Sequence, residues 1–201
     1  MSKAEPQWSN LKPQRDALFH LFPTDTITTV VEIGVDEGGW IAACLTRIPR
    51  EAIVYGIDPW DGRDSRHRVF QNRLHLELSS GKVIEIRKTS IAAAKIWDRP
   101  IDVLHIDGDH TTVFDDLLAW VPKVREGGLV CGHDVIGHRQ STWVYRDLRR
   151  YFGKLMPFFI GPIRGHTLGQ ALRVHSFWFY KDTPYGQHHS MRRKRKEKAD
   201  D

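Results

Sequence analysis

The sequence predicts an α/β protein with a doubly wound, largely parallel sheet that is covered by helices on both faces. Apolar, β-branched runs alternate with helical patterns at regular intervals, as they do in folds built from strand–helix–strand units. Acidic, histidine and glycine residues collect directly after these runs, at the sheet edge where such folds bind ligands. The length of 201 residues suits one domain with a sizeable core.

Strands are predicted from the apolar runs, and helices from the segments between them. The predicted strands are residues 27–35 (ITTVVEIGV), 52–58 (AIVYGID), 82–88 (KVIEIRK), 101–107 (IDVLHID), 127–134 (GGLVCGHD) and 175–181 (HSFWFYK), with a short additional strand within 156–174. Helices are expected at 11–23 and 137–153. Residues 111–128 also show helical spacing of apolar residues, with Thr111 or Thr112 as the cap and two glycines as the stop signal.

The composition predicts a soluble, cytoplasmic protein. No stretch approaches the roughly 20 apolar residues of a membrane span, and the first residues lack the apolar core of a signal peptide. Cys44 and Cys131 lie in apolar segments, which predicts buried thiols. Residues 191–201 hold six Lys or Arg against three acids, so most of the formal net charge of +5 lies there. We expect one domain at 1–185 and a basic, disordered tail at 186–201.

The turn after the first strand, residues 32–39, contains three glycines that let a ligand approach the backbone. It lacks the Gly-x-Gly-x-x-Gly pattern of dinucleotide binding, and its acidic residues disfavour a pyrophosphate. A ligand with a cationic amino-acid end suits it better. Asp58 follows the second strand, where a carboxylate can bind ribose hydroxyls, and Trp60 offers a flat face to an adenine. The alternatives are a turn aspartate and a core tryptophan.

The motifs VVEIGVDEGGW, GIDPW and LHIDGDH…GGLVCGHD resemble, in order, those of the class I S-adenosylmethionine-dependent methyltransferases. The chain most resembles a branch of small bacterial and phage enzymes of the methyltransferase-domain-24 type, which is related to sugar and small-molecule O-methyltransferases. The resemblance covers residues 28–182. It implies a Rossmann-like seven-stranded sheet of order 3-2-1-4-5-7-6 with the last strand antiparallel.

The resemblance also implies cofactor contacts. Glu32, Gly34 and Gly38 are expected to border the methionine end of S-adenosylmethionine, and Asp58 its ribose. Trp60 and Ser90 are expected to contact the adenine, although Ser90 is equally a candidate helix cap. Asp107, at the end of the fourth strand, is the last of the expected cofactor contacts.

Methyl transfer to a hydroxyl group requires removal of the hydroxyl proton. His110 is the first candidate for a general base, because an imidazole with a pKa near its ordinary value of about 6.5 accepts protons at neutral pH. The alternative is a divalent cation such as Mg²⁺. By similarity to catechol and macrolide-sugar O-methyltransferases, Asp107 and Asp134 match metal-ligand positions, and His133 is a third candidate that would favour a softer metal. Asp107 thus belongs to the catalytic set with His110.

The predicted reaction is O-methylation of a sugar-like or other small-molecule hydroxyl. The alternatives are a nucleic-acid methyltransferase, a non-catalytic protein that binds nucleic acid or a partner through its basic tail, and a hydroxylase-like relative on the same scaffold. A NAD-dependent dehydrogenase is disfavoured by the missing glycine pattern. Asp109 is expected either in the site or as a helix cap, and His105 as a packed core residue.

Overall fold

The computed structural model describes residues 18–23, 26–135, 141–154, 157–160 and 176–181. In chain order its elements are β1 (Thr29–Ile33), α1 (Gly39–Cys44), β2 (Ile53–Ile57), α2 (Asp64–Arg73), α3 (His75–Ser79), β3 (Val83–Ile86), α4 (Ser90–Ile96), β4 (Ile101–Ile106), α5 (Val113–Trp120), β5 (Val124–Gly132), α6 (Ser141–Phe152), β6 (Phe158–Ile160) and β7 (Ser176–Tyr180). The predicted strands all form, and most are shorter than predicted, whereas β5 begins three residues earlier than expected and is longer. The expected helix at 137–153 is present as α6.

The strands form one sheet of order β3-β2-β1-β4-β5-β7-β6. Strands β1 to β5 are parallel to their neighbours, whereas β7 runs antiparallel to both β5 and β6. The predicted fold and strand order are therefore confirmed. The winding direction reverses between β1 and β4, and open sheets of this kind bind ligands at such a point.

Two apolar cores cover the two faces of the sheet, because successive strand residues point to opposite sides. In β1 and β4, Val31 and Leu104 belong to the core that contains the buried residues of α4, α5 and α6. Val30 and Val103 belong to the core formed with α1 and α2. The sequence predicted this arrangement, since strands that are buried on both faces read as continuous apolar runs.

The helix predicted at 111–128 ends earlier than expected. After α5 a short 3₁₀ turn spans Val121–Lys123 and contains Pro122, which lacks the N–H that would continue an α-helix. Strand β5 then begins at Val124, which pairs with Ile101. Gly127 and Gly128, predicted as the helix stop, instead lie within β5, where its register against β4 shifts.

Several predictions fall wholly or partly outside the described residues: the first part of the helix at 11–23, the segments 136–140 and 161–175, and the tail at 186–201. Within the described part of the chain, none of the helices has the length and apolar character that crossing a membrane requires.

Candidate active site

Two adjoining cavities open at the carboxyl ends of β1, β2 and β4. The first has a volume of about 800 Å³ and is lined by Glu32, Trp40, His105, His110 and Asp134 among others. The second, of about 580 Å³, is lined by side chains that include Asp58, Ser90 and Ile91. The residues common to both cavities are Gly34, Asp36, Arg63, Asp107, Gly108 and Asp109. The cavities therefore form one continuous cleft whose middle is Gly34 and the end of β4.

Gly34 brings the turn after β1 against the turn after β4. Its φ is +83°, and a Cβ atom there would lie 2.2 Å from the carbonyl oxygen of Asp107. Only glycine permits this contact. The prediction for Gly38 is not supported, because Gly38 lines neither cavity. Its Cβ would lie 2.7 Å from the Phe70 ring, so Gly38 is required for packing beside α2.

Asp58 lies at the end of β2 on the floor of the second cavity, with 1% of its surface exposed. Its Oδ1 accepts hydrogen bonds from the backbone N–H of Trp60 at 2.8 Å and from Arg63 at 3.0 Å. Its Oδ2 accepts one hydrogen bond, from the Asp36 N–H at 3.0 Å. Each carboxylate oxygen has two acceptor positions, so Oδ2 keeps one for a ligand. A ligand that uses Oδ1 as well must displace Arg63.

The expectation that Trp60 covers an adenine is wrong. Trp60 is fully buried, and its ring packs against Phe70 and His67 with centroid distances of 5.0 and 4.6 Å. Its Nε1 donates a hydrogen bond to the Asp36 carbonyl at 2.8 Å. The ring thus supports the cleft from below. Ile91, which is 38% exposed, lines the second cavity and supplies apolar surface there.

Ser90 lines the second cavity, as predicted, and it is not the helix cap. The cap of α4 is Thr89, whose side chain accepts a hydrogen bond from the Ala92 N–H. The Ser90 hydroxyl donates to Asp116 and accepts a hydrogen bond from the Trp120 indole at 2.8 Å. Burial raises the pKa of Asp116 to about 7. Asp116 also lines this cavity, and the sequence analysis did not identify it.

Asp107, His110 and Asp134 form a cluster at the ends of β4 and β5. One potential ligand atom from each lies within 4.8 Å of the other two. The His110 Nε2 is 3.8 Å from Asp107 and 3.6 Å from Asp134. Burial raises the pKa of Asp107. The two predicted carboxylates are thus brought together, with His110 beside both.

His133, predicted as a third metal ligand, stands beside Asp134 at the edge of this cluster. His133 lies outside the cluster, and its Nδ1 is 3.0 Å from Asp134. Burial lowers the pKa of His133, but the hydrogen bond to Asp134 and the charge of Asp107 outweigh it and raise the pKa above its ordinary value. His133 therefore contacts Asp134 from outside the cluster, whereas His110 lies beside both carboxylates.

Backbone strain marks the same edge of the sheet. Among the described residues, three that are not glycine have a positive φ: Asp36 at +51°, Trp60 at +49° and Asp134 at +53°. They follow β1, β2 and β5. Such conformations cost about 1–3 kcal/mol each and cluster at functional sites.

Charged side chains at the rim of the first cavity are paired with one another. Arg66 lies 2.5 Å from Asp36, so the acidity of the glycine turn is balanced by α2. Arg73 donates a hydrogen bond to the Glu37 carbonyl at 2.6 Å. Asp109 forms a turn, because its side chain accepts hydrogen bonds from the N–H and hydroxyl of Thr111. Asp109 is therefore not the predicted helix cap, because the residue at that position of α5 is Thr112, and Asp109 also lines both cavities.

The floor of the first cavity contains two residues that the sequence analysis did not assign together. Glu32 lines the cavity as predicted, and His105, expected to be only a packed residue, lies beside it. The His105 Nδ1 is 3.4 Å from Glu32 Oε1, and both side chains are almost fully buried. Burial raises the pKa of Glu32 and lowers that of His105, because it disfavours the charged form of each. The sequence did contain a signal for this pair: Glu32 lies two residues before Gly34, and His105 lies two residues before Asp107.

The sequence profile of a family described as a methyltransferase domain matches residues 31–135, which is more than half of the chain. The chain belongs to this methyltransferase family. The match runs from β1 to just beyond β5 and therefore includes the turns that form both cavities. No curated protein matches the sequence.

Solved structures share the fold of this methyltransferase at low identity. An O-methyltransferase of tomaymycin synthesis from Streptomyces achromogenes, in complex with S-adenosylmethionine, has a TM-score of 0.65 and 15% identity over 84% of this chain and 79% of that chain. An rRNA methylase from Streptococcus thermophilus has a TM-score of 0.60 and 14% identity, and the match covers 89% of this chain and 98% of that chain. A precorrin-6y C5,15-methyltransferase from Geobacter metallireducens has a TM-score of 0.62 and 10% identity, and the match covers 90% of this chain and 94% of that chain. Their names differ in acceptor, so the fold leaves the acceptor open.

Proposed function

We propose that the protein uses S-adenosylmethionine to methylate a hydroxyl group of a small, sugar-like acceptor, and that a divalent cation assists the reaction. The observation that carries this proposal is the position of the Asp107–His110–Asp134 cluster on the wall of the first cavity, next to the Gly34 turn. Groups capable of deprotonating a hydroxyl thus lie beside the cleft that, in this proposal, holds the cofactor.

The cleft fits the proposed cofactor. Its second cavity combines a buried carboxylate at the end of β2 with the apolar surface of Ile91, which suits a ribose and a base. Its first cavity has the buried Glu32 carboxyl group, which suits a cationic amino-acid end. The volumes fall in the range of about 300–1,000 Å³ that is typical of small-molecule sites. S-adenosylmethionine supplies an electrophilic methyl group on its sulfonium.

The cluster fits a divalent cation. Two carboxylates this close repel each other unless a cation or a shared proton lies between them. Two oxygens and one imidazole nitrogen form a donor set that first-row metals such as manganese accept, and it is softer than magnesium prefers. A cation held by Asp107, His110 and Asp134 would lower the pKa of an acceptor hydroxyl.

The residues of the chain divide the remaining tasks. Asp58 and Glu32 hold the two ends of the cofactor, and Gly34 lets its middle pass close to the backbone. His133 keeps the Asp134 carboxylate turned towards the cluster. If no cation binds, His110 is the group that accepts the hydroxyl proton, because it lies in the same cavity and faces both carboxylates.

The test measures transfer of a labelled methyl group from S-adenosylmethionine to monosaccharides, to catechol and to total RNA. We expect label in a small hydroxyl compound, loss of most activity with EDTA, and recovery with manganese. Asp107→Asn and Asp134→Asn are each expected to lose activity and Mn²⁺ binding measured by electron paramagnetic resonance. Asp98→Asn is the matched control, since Asp98 is an exposed carboxylate that lines neither cavity.

Different failures identify different errors. Label in RNA alone contradicts the small-molecule acceptor. Full activity in EDTA removes the cation from the proposal and leaves His110 as the base, in which case His110→Ala abolishes the rise of rate between about pH 6 and pH 8. Full activity in EDTA together with an active His110→Ala variant contradicts both versions.

A further inference from the structure

Two neighbouring side chains at the floor of the first cavity have polar atoms that lack hydrogen-bond partners among the described residues. These atoms are Glu32 Oε2 and both ring nitrogens of His105. Glu32 is 2% and His105 is 1% exposed. An unpaired buried polar group destabilises the folded state, and such groups are rare in folded proteins. A partner that binds in the working protein accounts for their retention.

The two side chains are fixed rigidly on adjacent central strands. Glu32 of β1 pairs in register with His105 of β4, and His105 pairs in turn with Cys131 of β5. The Trp40 ring stacks on the imidazole with a centroid distance of 4.2 Å and an interplanar angle of 2°. The stack determines the plane of the imidazole, so its nitrogens have a defined direction at the cavity floor.

The chemistry of the pair favours a cationic N–H donor. A carboxyl oxygen and the unprotonated nitrogen of a neutral imidazole both accept hydrogen bonds. The arginines at the cavity rim are engaged elsewhere: Arg66 with Asp36, and Arg73 with the Glu37 carbonyl. An alkylammonium group has three N–H donors and the small size that a buried floor requires.

We propose that His105 is a cofactor-binding residue which, together with Glu32, accepts hydrogen bonds from the α-ammonium group of the cofactor's methionyl end. This inference rests on the proposed function, which places that end in the first cavity. The contact would position the sulfonium relative to Asp107, because Asp107 directly follows β4 and lies two residues after His105.

The test is calorimetric titration of the full chain with S-adenosylhomocysteine and with methylthioadenosine, which has the same adenosine and thioether but no amino-acid end. His105→Leu removes both ring nitrogens, and His105→Asn keeps an acceptor near the position of Nδ1. We expect His105→Leu to weaken S-adenosylhomocysteine binding about 10- to 100-fold, as for loss of a hydrogen bond to a charged group. Methylthioadenosine binding should not change, and His105→Asn should recover much of the loss.

Cys131→Ala is the matched control, because Cys131 is the other buried neighbour of His105 and lines neither cavity. It should bind both ligands as the wild type does. Equal weakening of both ligands by His105→Leu would show a merely structural role and overturn the inference, as would unchanged binding of both. A wild-type protein that binds neither ligand would instead contradict the proposed function.

A second measurement does not depend on the folding of any variant. The wild type is titrated with two further thioadenosines, one whose side chain ends in an amine and one whose side chain ends in a carboxylate. The inference predicts that the amine is the tighter ligand. Tighter binding of the carboxylate would overturn it.

Discussion

Replacement of Gly34 by alanine tests whether the contact between the turns after β1 and β4 builds the cleft. The added Cβ would lie 2.2 Å from the Asp107 carbonyl oxygen and 2.4 Å from the Gly108 Cα, whereas real Cβ atoms essentially never come within 3.0 Å of another atom. Both neighbours are backbone atoms of a central strand end, so one turn must move by most of an ångström. The cleft, which has both turns in its walls, would widen.

The loss of stability has two parts. The left-handed backbone disfavours a side chain by about 1–2 kcal/mol, and forced displacement in a packed region adds about 1–3 kcal/mol. Gly34→Ala should therefore lower the free energy of unfolding by about 2–5 kcal/mol. With a slope of about 2 kcal/mol per molar urea, the unfolding midpoint should fall by about 1–2.5 M.

Gly81→Ala is the matched control for this measurement. Gly81 has a φ of +75°, but a Cβ there would meet nothing within 4 Å. The Gly81→Ala variant should lose only the contribution of the left-handed backbone, about 1–2 kcal/mol of the free energy of unfolding. Its affinity for S-adenosylhomocysteine should not change. The reasoning is refuted if Gly34→Ala loses no more stability than Gly81→Ala, or if it binds S-adenosylhomocysteine as the wild type does.

Three further predictions concern Asp116, Lys82 and the tail. Burial raises the pKa of Asp116 to about 7, so the native protein keeps a proton that the unfolded chain releases above about pH 4. The free energy of unfolding should therefore fall as pH rises from about 4 to 7. Asp116→Asn should remove this decline in the urea midpoint, and equal pH profiles of the variant and the wild type would contradict the prediction. Lys82 donates hydrogen bonds to three backbone carbonyls of residues 49–52. Lys82→Met should therefore lower the free energy of unfolding by about 1–3 kcal/mol and leave the S-adenosylhomocysteine affinity measured by calorimetry unchanged. A change in that affinity would be inconsistent with a structural role. Deletion of residues 187–201 should leave the melting temperature and that affinity nearly unchanged, and a large loss of either would show that the tail docks on the domain.

The strands and the residues at their ends were predictable from the sequence, because apolar runs and the residues after them are local patterns, whereas the sheet order followed from the family resemblance. The position of His105 in the site was less visible. It depends on the register that places Glu32 opposite His105, and register is a property of two strands rather than one. The local indications were a polar residue at a strand position and its place two residues before Asp107.

Side-chain direction at the strand ends was the part that the sequence did not predict. The positive φ of Trp60 turns its ring beneath the loop, so a tryptophan beside Asp58 packs on Phe70 instead of facing the cleft. The positive φ of Asp134 occurs at the turn where His133 contacts Asp134 and His110 completes the cluster. Backbone strain of this kind depends on the packing around a turn and has no simple residue pattern.

The central claim is that one cleft holds the cofactor with its reactive end at the Asp107–His110–Asp134 cluster. A crystal structure of the complex with S-adenosylhomocysteine and Mn²⁺ tests it most directly. The account predicts the ribose on Asp58, the methionyl end in the first cavity, and one anomalous peak at about 2.0–2.3 Å from ligand atoms of all three cluster residues. A cofactor bound outside the cleft, or a cleft that holds the cofactor while manganese binds elsewhere, would contradict it.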